Sequence, residues 1–584
     1  MSNVVELPIF CYYDVQRFKQ FGSMDCANWY GVKVEAAKKQ QALYPAMGRK
    51  HISFFNQNRL VFDSEPRAIY KTIDFFYVIV GTRVIQVDKF YNQKEIGNVS
   101  LSGNLWFAFL PVGTQVYALL TDEKTIWRIF EISPSDVTMT AVTDPKAPTQ
   151  PQYVASFGNR FVVNQKNTPD YYLSTINLAG TVADCFTING AALFNRASGF
   201  VRQFAVLHNQ LYIFCDYTTD IWANIPSLFT VANVTTEFPW KLNTSYNFDF
   251  GIADPFSLDV DFGRMTWLAK NSNGLVSFMA SDGKQPVDIS SQAINVLLEK
   301  SNAVDGLSPF LTHSSDGFLY QYENTIFYRV SAGKFLDFGE LDIVDSANAL
   351  EYNFETKTWA RVIELNGERN RIQKHLFFNN KHIVTVSGDP ALYEMAGNIY
   401  YNELRNTDQT DPQAADAFLK YPMRYELTTK QLFEQDYSEF VDDYVEIDFV
   451  FGDMDFYKSN APFLNTTYLV GEESTPGNPI YLVEEDGETF IIDEEGNTPA
   501  FDDNHYNQLF KPHLELYYSD DGGITFYSAD LRPFSQLGQY RWRMRWYELD
   551  VSRNRCYKLI CVSSAPIVIL GAVRNTHRVS GGGN

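Results

Sequence analysis

Apolar and polar residues alternate with a period of two along most of this chain, and turn residues separate the alternating segments. Such alternation puts apolar side chains on one face of a strand and polar ones on the other, so it predicts β-strands. Helical spacing is rare. It occurs at 288–300, where a serine cap precedes Ile294, Leu297 and Leu298 on one face, and at a second candidate, 411–420. The chain is therefore predicted to be mainly β.

A loose repeat, in which an aromatic or apolar strand follows a polar turn, runs from about residue 51 to residue 396. Three examples are Phe157–Val163, Leu207–Phe214 and Asn379–Val386. The first two begin 50 residues apart, close to the length of a four-stranded propeller blade. Tyr352–Trp359 is typical of the outer hairpin of such a blade. These features predict a β-propeller, with an array of two-layer β-sandwiches as the alternative.

Two segments near the C-terminus alternate in a complementary way. Arg541, Arg543 and Arg545 share one strand face, opposite two tryptophans and a methionine. In residues 445–451, Glu446 and Asp448 form an acidic stripe opposite apolar residues. We expect the two stripes to pair, either in one sheet or across subunits, and the pairing within one sheet is preferred.

The segment 513–526 is predicted to be a strand, a tight Asp-Gly-Gly turn and a second strand. Ser519, Asp521, Gly523 and Phe526 match the Asp-box pattern of sialidases and other propellers. The Asp would accept backbone N–H bonds within its own turn, and the Phe would pack beneath it. A structural turn is the preferred interpretation, and a glycan-cleaving propeller is the alternative.

The character of the sequence changes after Tyr400, and an acidic stretch interrupts the last domain. Asp486-Gly487 between apolar segments predicts an exposed hairpin. The predicted divisions are an N-terminal arm or platform (1–50), a propeller (51–400), a C-terminal β-sandwich-like domain (401–459 and 509–576), the acidic hairpin inserted into it (460–508) and a disordered tail (577–584).

The formal net charge is −22, and it is concentrated in one region. Residues 431–505 contain 20 acidic residues and one basic residue, Lys458. This balance argues against a surface that neutralises nucleic-acid phosphates. It suits solubility, or a surface over which DNA slides without sticking.

Few residues or motifs in the sequence indicate catalysis or metal binding. The six cysteines have no metal-ligand spacing, so buried free thiols in a reducing cytoplasm are expected. The eight histidines form no HExxH pair, and phosphate-loop and nucleophile-elbow motifs are absent from the sequence. We expect no signal peptide, no membrane-spanning segment, no cofactor, no metal and no catalytic residue.

Four stretches resemble the tail nozzle proteins of short-tailed phages, which are also called tail hub or packaged-DNA-stabilisation proteins. They are Gln210–Trp222, Phe248–Lys270, Ser281–Ser290 with the helix after it, and the closing segment 517–572. The resemblance implies a non-enzymatic virion protein that is assembled in the host cytoplasm. Six copies would form a ring below the adaptor that extends the DNA channel, retains packaged DNA and takes part in its ejection.

The resemblance also implies partners. The ring would contact the adaptor and tail fibres or spikes, and double-stranded DNA would pass through it without sequence-specific binding. The acidic hairpin looks like an insertion relative to the family, and our hypothesis is that it lines or closes the distal channel, with an outward-facing, solvated hairpin as the alternative. The candidate channel or gate residues are Glu484, Glu485, Asp486, Glu488, Asp493, Glu494 and Glu495. A glycan-binding or glycan-hydrolysing propeller, such as a virion depolymerase, is the main alternative. An intracellular propeller scaffold is a third.

Overall fold

The computed structural model describes the chain in sixteen ranges. They are residues 3–14, 24–33, 41–52, 60–133, 136–187, 199–231, 234–243, 247–302, 316–331, 349–406, 417–434, 438–451, 480–481, 500–501, 513–533 and 541–579. The first strands are β1 (Asn3–Leu7), β2 (Asp25–Ala27), β3 (Trp29–Lys33), β4 (Gln41–Pro45) and β5 (Gly48–His51).

Seven groups of antiparallel strands follow in the described residues, and we number them as blades 1 to 7. Blades 1 to 5 are separate sheets, whereas blades 6 and 7 are the two ends of one larger sheet that also includes strands of the C-terminal domain. Blade 1 contains β6 (Pro66–Lys71), β7 (Phe75–Val80), β8 (Arg83–Asp88) and β9 (Gln93–Asn98). Blade 2 contains β10 (Trp106–Val112), β11 (Gln115–Thr121), β12 (Ile126–Ser133) and β13 (Asp136–Ala141). Blade 3 contains β14 (Pro151–Phe157), β15 (Arg160–Gln165) and β16 (Tyr171–Leu173).

Blades 4 and 5 are longer in sequence because each contains additional elements. Blade 4 comprises β17 (Val201–Leu207), β18 (Gln210–Cys215), β19 (Thr219–Ala223) and β22 (Lys241–Leu242), with a separate hairpin of β20 (Ser227–Val231) and β21 (Val234–Phe238). Blade 5 comprises β23 (Gly251–Ile252), β24 (Asp259–Asp261), β25 (Arg264–Lys270), β26 (Val276–Ser281) and β27 (Val287–Asp288).

The predicted short helix follows blade 5 as α1 (Gln292–Asn302), and Ser291 Oγ accepts the Ile294 amide at 3.2 Å. Blade 6 comprises β28 (Asp316–Tyr322), β29 (Thr325–Ser331), β30 (Ala349–Asn353) and β31 (Thr358–Arg361). Blade 7 comprises β32 (Ile372–Phe378), β33 (Lys381–Val386), β34 (Leu392–Ala396) and the distant strand β5.

The blades close into a ring because each buries its apolar faces against both neighbours. Seven hydrophobic clusters each draw residues from two adjacent blades. The cluster between blades 7 and 1, which closes the ring, includes Phe76, Val78, Phe378 and Ile383. β5 precedes blade 1 in sequence but pairs with β34, so strands from both ends of the propeller complete the last blade. The prediction of a mainly β chain with a propeller is confirmed.

The sequence repeat corresponds to one recurring turn. In blades 3 to 7, two residues that both have positive φ join a pair of consecutive strands, which are the first two strands of the blade except in blade 5, where they are β24 and β25. Such turns match the right-handed twist of the strands and favour Asn and Gly. The pairs are Gly158-Asn159, His208-Asn209, Phe262-Gly263, Glu323-Asn324 and Asn379-Asn380.

The C-terminal strands are β35 (Tyr401–Arg405), β36 (Phe418–Thr428), β37 (Phe440–Phe451), β38 (Ile480–Tyr481), β39 (Ala500–Phe501), β40 (His513–Ser519), β41 (Tyr527–Pro533), β42 (Arg541–Ser552), β43 (Cys556–Ser563) and β44 (Ile567–Arg578). Strands β3-β4-β44-β37-β42 form one sheet, with β1 also paired to β44. Strands β2, β36, β43, β40 and β41 are paired in the other. Buried Trp29, Tyr425, Ile447, Trp546 and Leu559 belong to one core that both sheets share, so this domain is a β-sandwich.

The first 50 residues are not a separate arm. β1, β3 and β4 extend one sheet of the sandwich, and β2 pairs with both β36 and β31. The propeller also begins earlier than predicted, at Gly48 in β5. These boundaries depend on pairing between segments that are distant in sequence, and local alternation cannot predict such pairing.

Other predicted boundaries differ at their edges. β44 continues to Arg578, and His577 Nδ1 lies 2.9 Å from Asp443, so the disordered tail cannot start at residue 577. The second predicted helix is wrong at its end, since residues 418–420 belong to strand β36. The acidic hairpin lies outside the described residues apart from the antiparallel pair β38 and β39.

The cysteine prediction is wrong for two of the six residues. Cys11 and Cys26 form a disulfide, whereas Cys185, Cys215, Cys556 and Cys561 are free and buried. The bond joins the loop after β1 to strand β2. Strands β1 and β2 both pair with strands of the sandwich.

Alkylation should report this disulfide directly. In denaturant without reductant we expect four cysteines to be labelled, and after reduction all six. Closing a loop of this length stabilises a fold by about 3 kcal/mol, because it restricts the unfolded chain. Intact-protein mass spectrometry measures the count, and six labels without reductant would contradict the disulfide.

Candidate functional site

The axis of the propeller is the first candidate site, because the innermost strands of all blades converge there. A cavity of about 310 Å³ opens at one end. It is lined chiefly by residues from the starts of innermost strands or the turns just before them, including Glu65, Arg67, Tyr70, Asn104, Phe256, Asp316 and Lys374.

A pair of stacked aromatic rings crosses the axis beside this cavity. Phe256, in the 3-10 turn Pro255–Ser257 of blade 5, stacks on Trp106 of blade 2 with ring centroids 4.5 Å apart. Lys374 of blade 7 places its Nζ 4.5 Å from the centroid of the same Phe256 ring. Since blades 2 and 5 lie almost opposite each other in a ring of seven, Phe256 spans the centre. Its ring thus contacts side chains from blades 2 and 7.

The charged groups of the cavity are already engaged. Lys374 forms an ion pair with Asp316, and Arg67 donates to the carbonyls of Gly81 (2.7 Å) and Ser100 (2.8 Å). Burial raises the pKa of the Asp316 carboxyl, and Lys374 opposes that rise. Glu65 accepts the Gly388 amide at 2.9 Å. Asp316 thus pairs with a cation within the cavity, and Glu65 links blade 1 to the Gly388 turn of blade 7.

A second buried carboxylate links two blades near the axis. Asp259 of β24 accepts the amide of Leu319 in blade 6 at 2.6 Å and the amide of Val260 at 2.9 Å. Burial raises the pKa of Asp259 to about 6, although both amides act in the opposite direction. Its hydrogen bonds make it a brace between blades 5 and 6.

Sequence reasoning did not identify any of these cavity residues. They are spread from Glu65 to Lys374 and share no motif. What most of them share is a position at or just before the innermost strand of a blade. A complete register of the blade repeat would have aligned them, but the repeat is too degenerate for that.

The arginine stripe and the acidic stripe meet on the outer face of the sandwich, within one chain. β42 pairs with β37, so that Glu446 lies opposite Arg545 and Asp448 opposite Arg543. Arg541 contacts Asp448 at 2.5 Å, and Arg545 forms an ion pair with Glu446. Their hydrogen bonds to these carboxylates raise the pKa of both Arg541 and Arg545.

The middle arginine of the stripe is held more loosely. Arg543 lies 3.7 Å from Glu446 and 3.8 Å from Asp448, and its side chain is 60% exposed. On the opposite face Met544 and Trp546 are buried, and Trp542 packs against the same core. The two faces of β42 therefore have the roles that the alternation predicted.

The Asp-box residues form a closed turn between β40 and β41. Ser519 Oγ donates to Asp521 at 2.7 Å and accepts the Gly523 amide at 2.9 Å, while the amides of Ile524 and Thr525 donate to Asp521 at 2.9 and 3.0 Å. Phe526 is half-buried, with the Lys558 ammonium 5.9 Å from its ring. All of these contacts lie within the sandwich, far in sequence from the propeller cavity.

Replacing Asp521 by alanine should destabilise this hairpin by about 1–2 kcal/mol, because several donors lose one acceptor. Partial burial would raise the pKa of Asp521, but hydrogen bonds from Thr525 and Ser519 outweigh it and lower the pKa to about 2. The stabilisation should thus be present above about pH 4 and disappear as the pH falls towards 2. Amide hydrogen exchange at Gly523 to Thr525 measures it. Asp530→Ala in the same hairpin, where the carboxylate is half-exposed, should leave exchange there unchanged.

The predicted channel residues Glu484, Glu485, Asp486, Glu488, Asp493, Glu494 and Glu495 lie outside the described residues. Within the described ranges, no group of three or more His, Cys, Asp or Glu side chains is arranged to hold a metal ion. No helix in those ranges is long and apolar enough to cross a bilayer.

Comparisons with known proteins add structural likenesses only. No protein-family model matches the chain, and no curated protein matches it. Similar solved structures include the computationally designed Ika8 protein (10% identity, 60% of this chain, 99% of that chain, TM-score 0.33) and streptogramin B lyase (10%, 60%, 97%, 0.31). The Neurospora crassa Pan2 WD40 domain is another (7%, 60%, 95%, 0.33). The propeller assignment rests on the strand pairing described above.

Proposed function

We propose that this chain is the structural subunit of a viral tail nozzle. Six copies form a ring below the adaptor, extend the DNA channel, carry fibres or spikes, and have no enzymatic role. The proposal starts from the resemblance of four stretches to the nozzle family. One structural observation carries it further, namely the way in which the propeller is joined to the sandwich.

The joint is a continuous hydrogen-bonded sheet rather than a linker. β2 pairs with β31 of blade 6 and with β36 of the sandwich, and β35 pairs with both β5 and β36. Asn28 reinforces it, since its side-chain amide donates to the carbonyls of Ile363 (2.8 Å) and Arg424 (2.7 Å). A hinge at this position would have to break several backbone hydrogen bonds.

Buried ion pairs strengthen the same joint. Arg361 of blade 6 contacts Asp25 and Glu426, which lie in β2 and β36. Glu364, in the turn after β31, contacts the fully buried Arg49 of β5 at 2.7 Å, and Asn402 of β35 donates to the same carboxylate at 3.2 Å. A conduit that withstands internal DNA pressure needs domains that cannot rotate against each other, and this joint meets that requirement.

The charge distribution supports passage of DNA without binding. The whole chain carries −22, and residues 431–505 hold 20 acidic residues against one basic residue. An anionic lumen repels the phosphate backbone, so a duplex can move through it without forming lasting contacts. The acidic hairpin, Glu484–Glu495, is proposed to face this lumen.

The test is immunogold labelling of purified particles with antiserum against the whole purified chain. Label at a single vertex, on a short tail, is the expected result. Label absent from all particles, together with release of sugar from host polysaccharide by the purified chain, would replace the nozzle with the glycan-hydrolase alternative. A serum against the capsid serves as the control for particle integrity.

A further inference from the structure

The axial cavity of the propeller has no role in the proposed nozzle. Its volume of about 310 Å³ lies at the lower end of the range for small-molecule sites. The described residues that line it come from blades 1, 2, 5, 6 and 7. A concave site on which several elements converge, with a few polar groups among apolar ones, is the usual setting of a ligand site. The lining therefore decides which ligand the cavity suits.

The charges of the described lining residues cancel. Arg67 and Lys374 are balanced by Glu65 and Asp316, and Lys374 pairs directly with Asp316. The Arg67 guanidinium is held by backbone carbonyls, among them that of Gly103 at 2.7 Å. An ionic ligand gains little net Coulomb energy at such a balanced site, and it also has to compete with the ion pair already formed. The lining thus favours an uncharged ligand.

Several polar atoms of the lining keep their capacity for hydrogen bonds. Asp316 uses Oδ1 for its ion pair and Glu65 uses Oε2 for its contact with blade 7, so one oxygen of each carboxylate is still available as an acceptor. The side-chain amides of Asn104 and Gln373 also line the cavity, and neither has a hydrogen-bond partner within the described part of the chain. Each amide offers both donors and an acceptor. A hydroxyl group, which donates and accepts at once, matches this mixture.

We infer that the axial cavity binds a neutral, polyhydroxylated molecule of about the size of one sugar ring. Its hydroxyls bond to the available carboxylate oxygens and to the two amides. Its C–H groups lie against the apolar part of the lining, which includes Leu105 and Phe256. The inference assigns binding without bond cleavage. It does not depend on the nozzle, because it concerns the axis of one propeller and not the assembly of several chains.

Saturation-transfer difference NMR on the purified full chain tests the ligand class. The probes are D-glucose, D-galactose, D-mannose and N-acetyl-D-glucosamine. Each hydrogen bond to a sugar replaces one to water, so the net gain is small and we expect binding in the millimolar range. At least one probe should receive saturation, and its uronic acid and 2-amino counterparts should bind at least fivefold more weakly. No transfer to any of the four probes overturns the inference, and equal or tighter binding of the charged counterparts overturns the assignment of a neutral ligand.

Two tryptophan variants test the location. Asn104 is exposed and lines the cavity, whereas Leu101, in the same loop, is 71% exposed and does not line it. Asn104→Trp should fill the opening and weaken binding at least fivefold, and Leu101→Trp should leave it unchanged. Both variants should keep the wild-type melting curve, because neither side chain is buried. Equal binding by the two variants overturns the inference.

Gln373→Leu tests the amide contact separately, with the exposed Gln93 on the outer strand of blade 1 changed to leucine as its control. Only Gln373→Leu should weaken sugar binding, and equal binding by these two variants contradicts the contact. The outcomes are also distinct from those for the proposed function. Label at a single vertex together with a chain that binds no sugar removes this inference and leaves the nozzle. Sugar binding by a chain that is missing from particles supports the inference and removes the nozzle.

Discussion

Replacing Arg361 by methionine should destabilise the joint between the propeller and the sandwich by about 3 kcal/mol. The guanidinium donates to Asp25 at 2.8 Å and to Glu426 at 3.1 Å, and the Arg361 side chain is only 6% exposed. Removing the Arg361 guanidinium takes this partner away from Asp25 in a low dielectric, whereas Glu426 keeps Arg424 at 2.6 Å and Lys558 at 3.6 Å. Urea unfolding followed by tryptophan fluorescence should show a lower midpoint.

The matched control is Arg543→Met on the outer face of the sandwich. Arg543 also faces two carboxylates, but at 3.7 and 3.8 Å and with a side chain that is 60% exposed. Solvent screens such a pair, so its removal should barely change the urea midpoint. Equal losses in the two variants would show that the joint does not depend on its buried ion pairs.

Acidification from pH 7 to pH 5 should weaken the contact between blades 6 and 7 through a pair of histidines. His375 Nε2 lies 3.0 Å from His382 Nδ1, and the His375 ring stacks on Phe318 of blade 6 with centroids 4.8 Å apart. Burial lowers the pKa of both imidazoles below the usual 6.5, and a positive charge on His382 lowers the pKa of His375 further. Two imidazoles this close cannot both be protonated without repulsion.

Because the pKa values of both histidines are lowered in the folded state, the folded protein loses stability as the pH falls. Each histidine is neutral in the folded state at a pH where the unfolded chain already binds a proton, so stability is complete above about pH 6.5 and falls below it. Each proton bound only by the unfolded chain costs about 1.4 kcal/mol per pH unit. Of the charged groups around the pair, Lys71 of blade 1 and Arg329 of blade 6 oppose protonation of His375, and Glu394 of β34 favours protonation of His382.

His375→Phe should flatten the pH dependence between 5 and 6.5, because phenylalanine keeps the ring contact with Phe318 but cannot bind a proton. The control is His577→Gln at the sandwich surface, where His577 contacts Asp443 at 2.9 Å and is partly exposed. Thermal melting at half-unit pH steps measures both variants. An unchanged slope in His375→Phe would contradict the role of this pair.

Local patterns were sufficient for several features that depend on neighbours in sequence, although the predicted helix at 411–420 ends in strand β36. The alternation around Arg543 correctly separated the buried and the exposed faces of β42. The Asp-box pattern correctly described a closed turn at Asp521, and the serine cap correctly described α1. In each case the side-chain direction follows from backbone periodicity or from bonds within four residues, so a single sequence carries the information.

Contacts between distant segments could not be predicted from local sequence patterns. β5 pairs with β34, which lies more than 300 residues further along the chain, and so completes blade 7. Cys11 forms a disulfide with Cys26, whereas the sequence predicts free thiols. Glu65 and Lys374, which are distant in sequence, line the same cavity. Closing the ring of seven blades determines the pairing of β5 and the lining of the cavity, because only then do blades 7 and 1 become neighbours. The disulfide depends on the pairing of β1 and β2 with strands of the sandwich. Alternation, turn chemistry and charge thus specified the strands and their faces. Long-range burial of apolar area and the topology of the ring determined which strands meet, where the domains end and which residues share the axis.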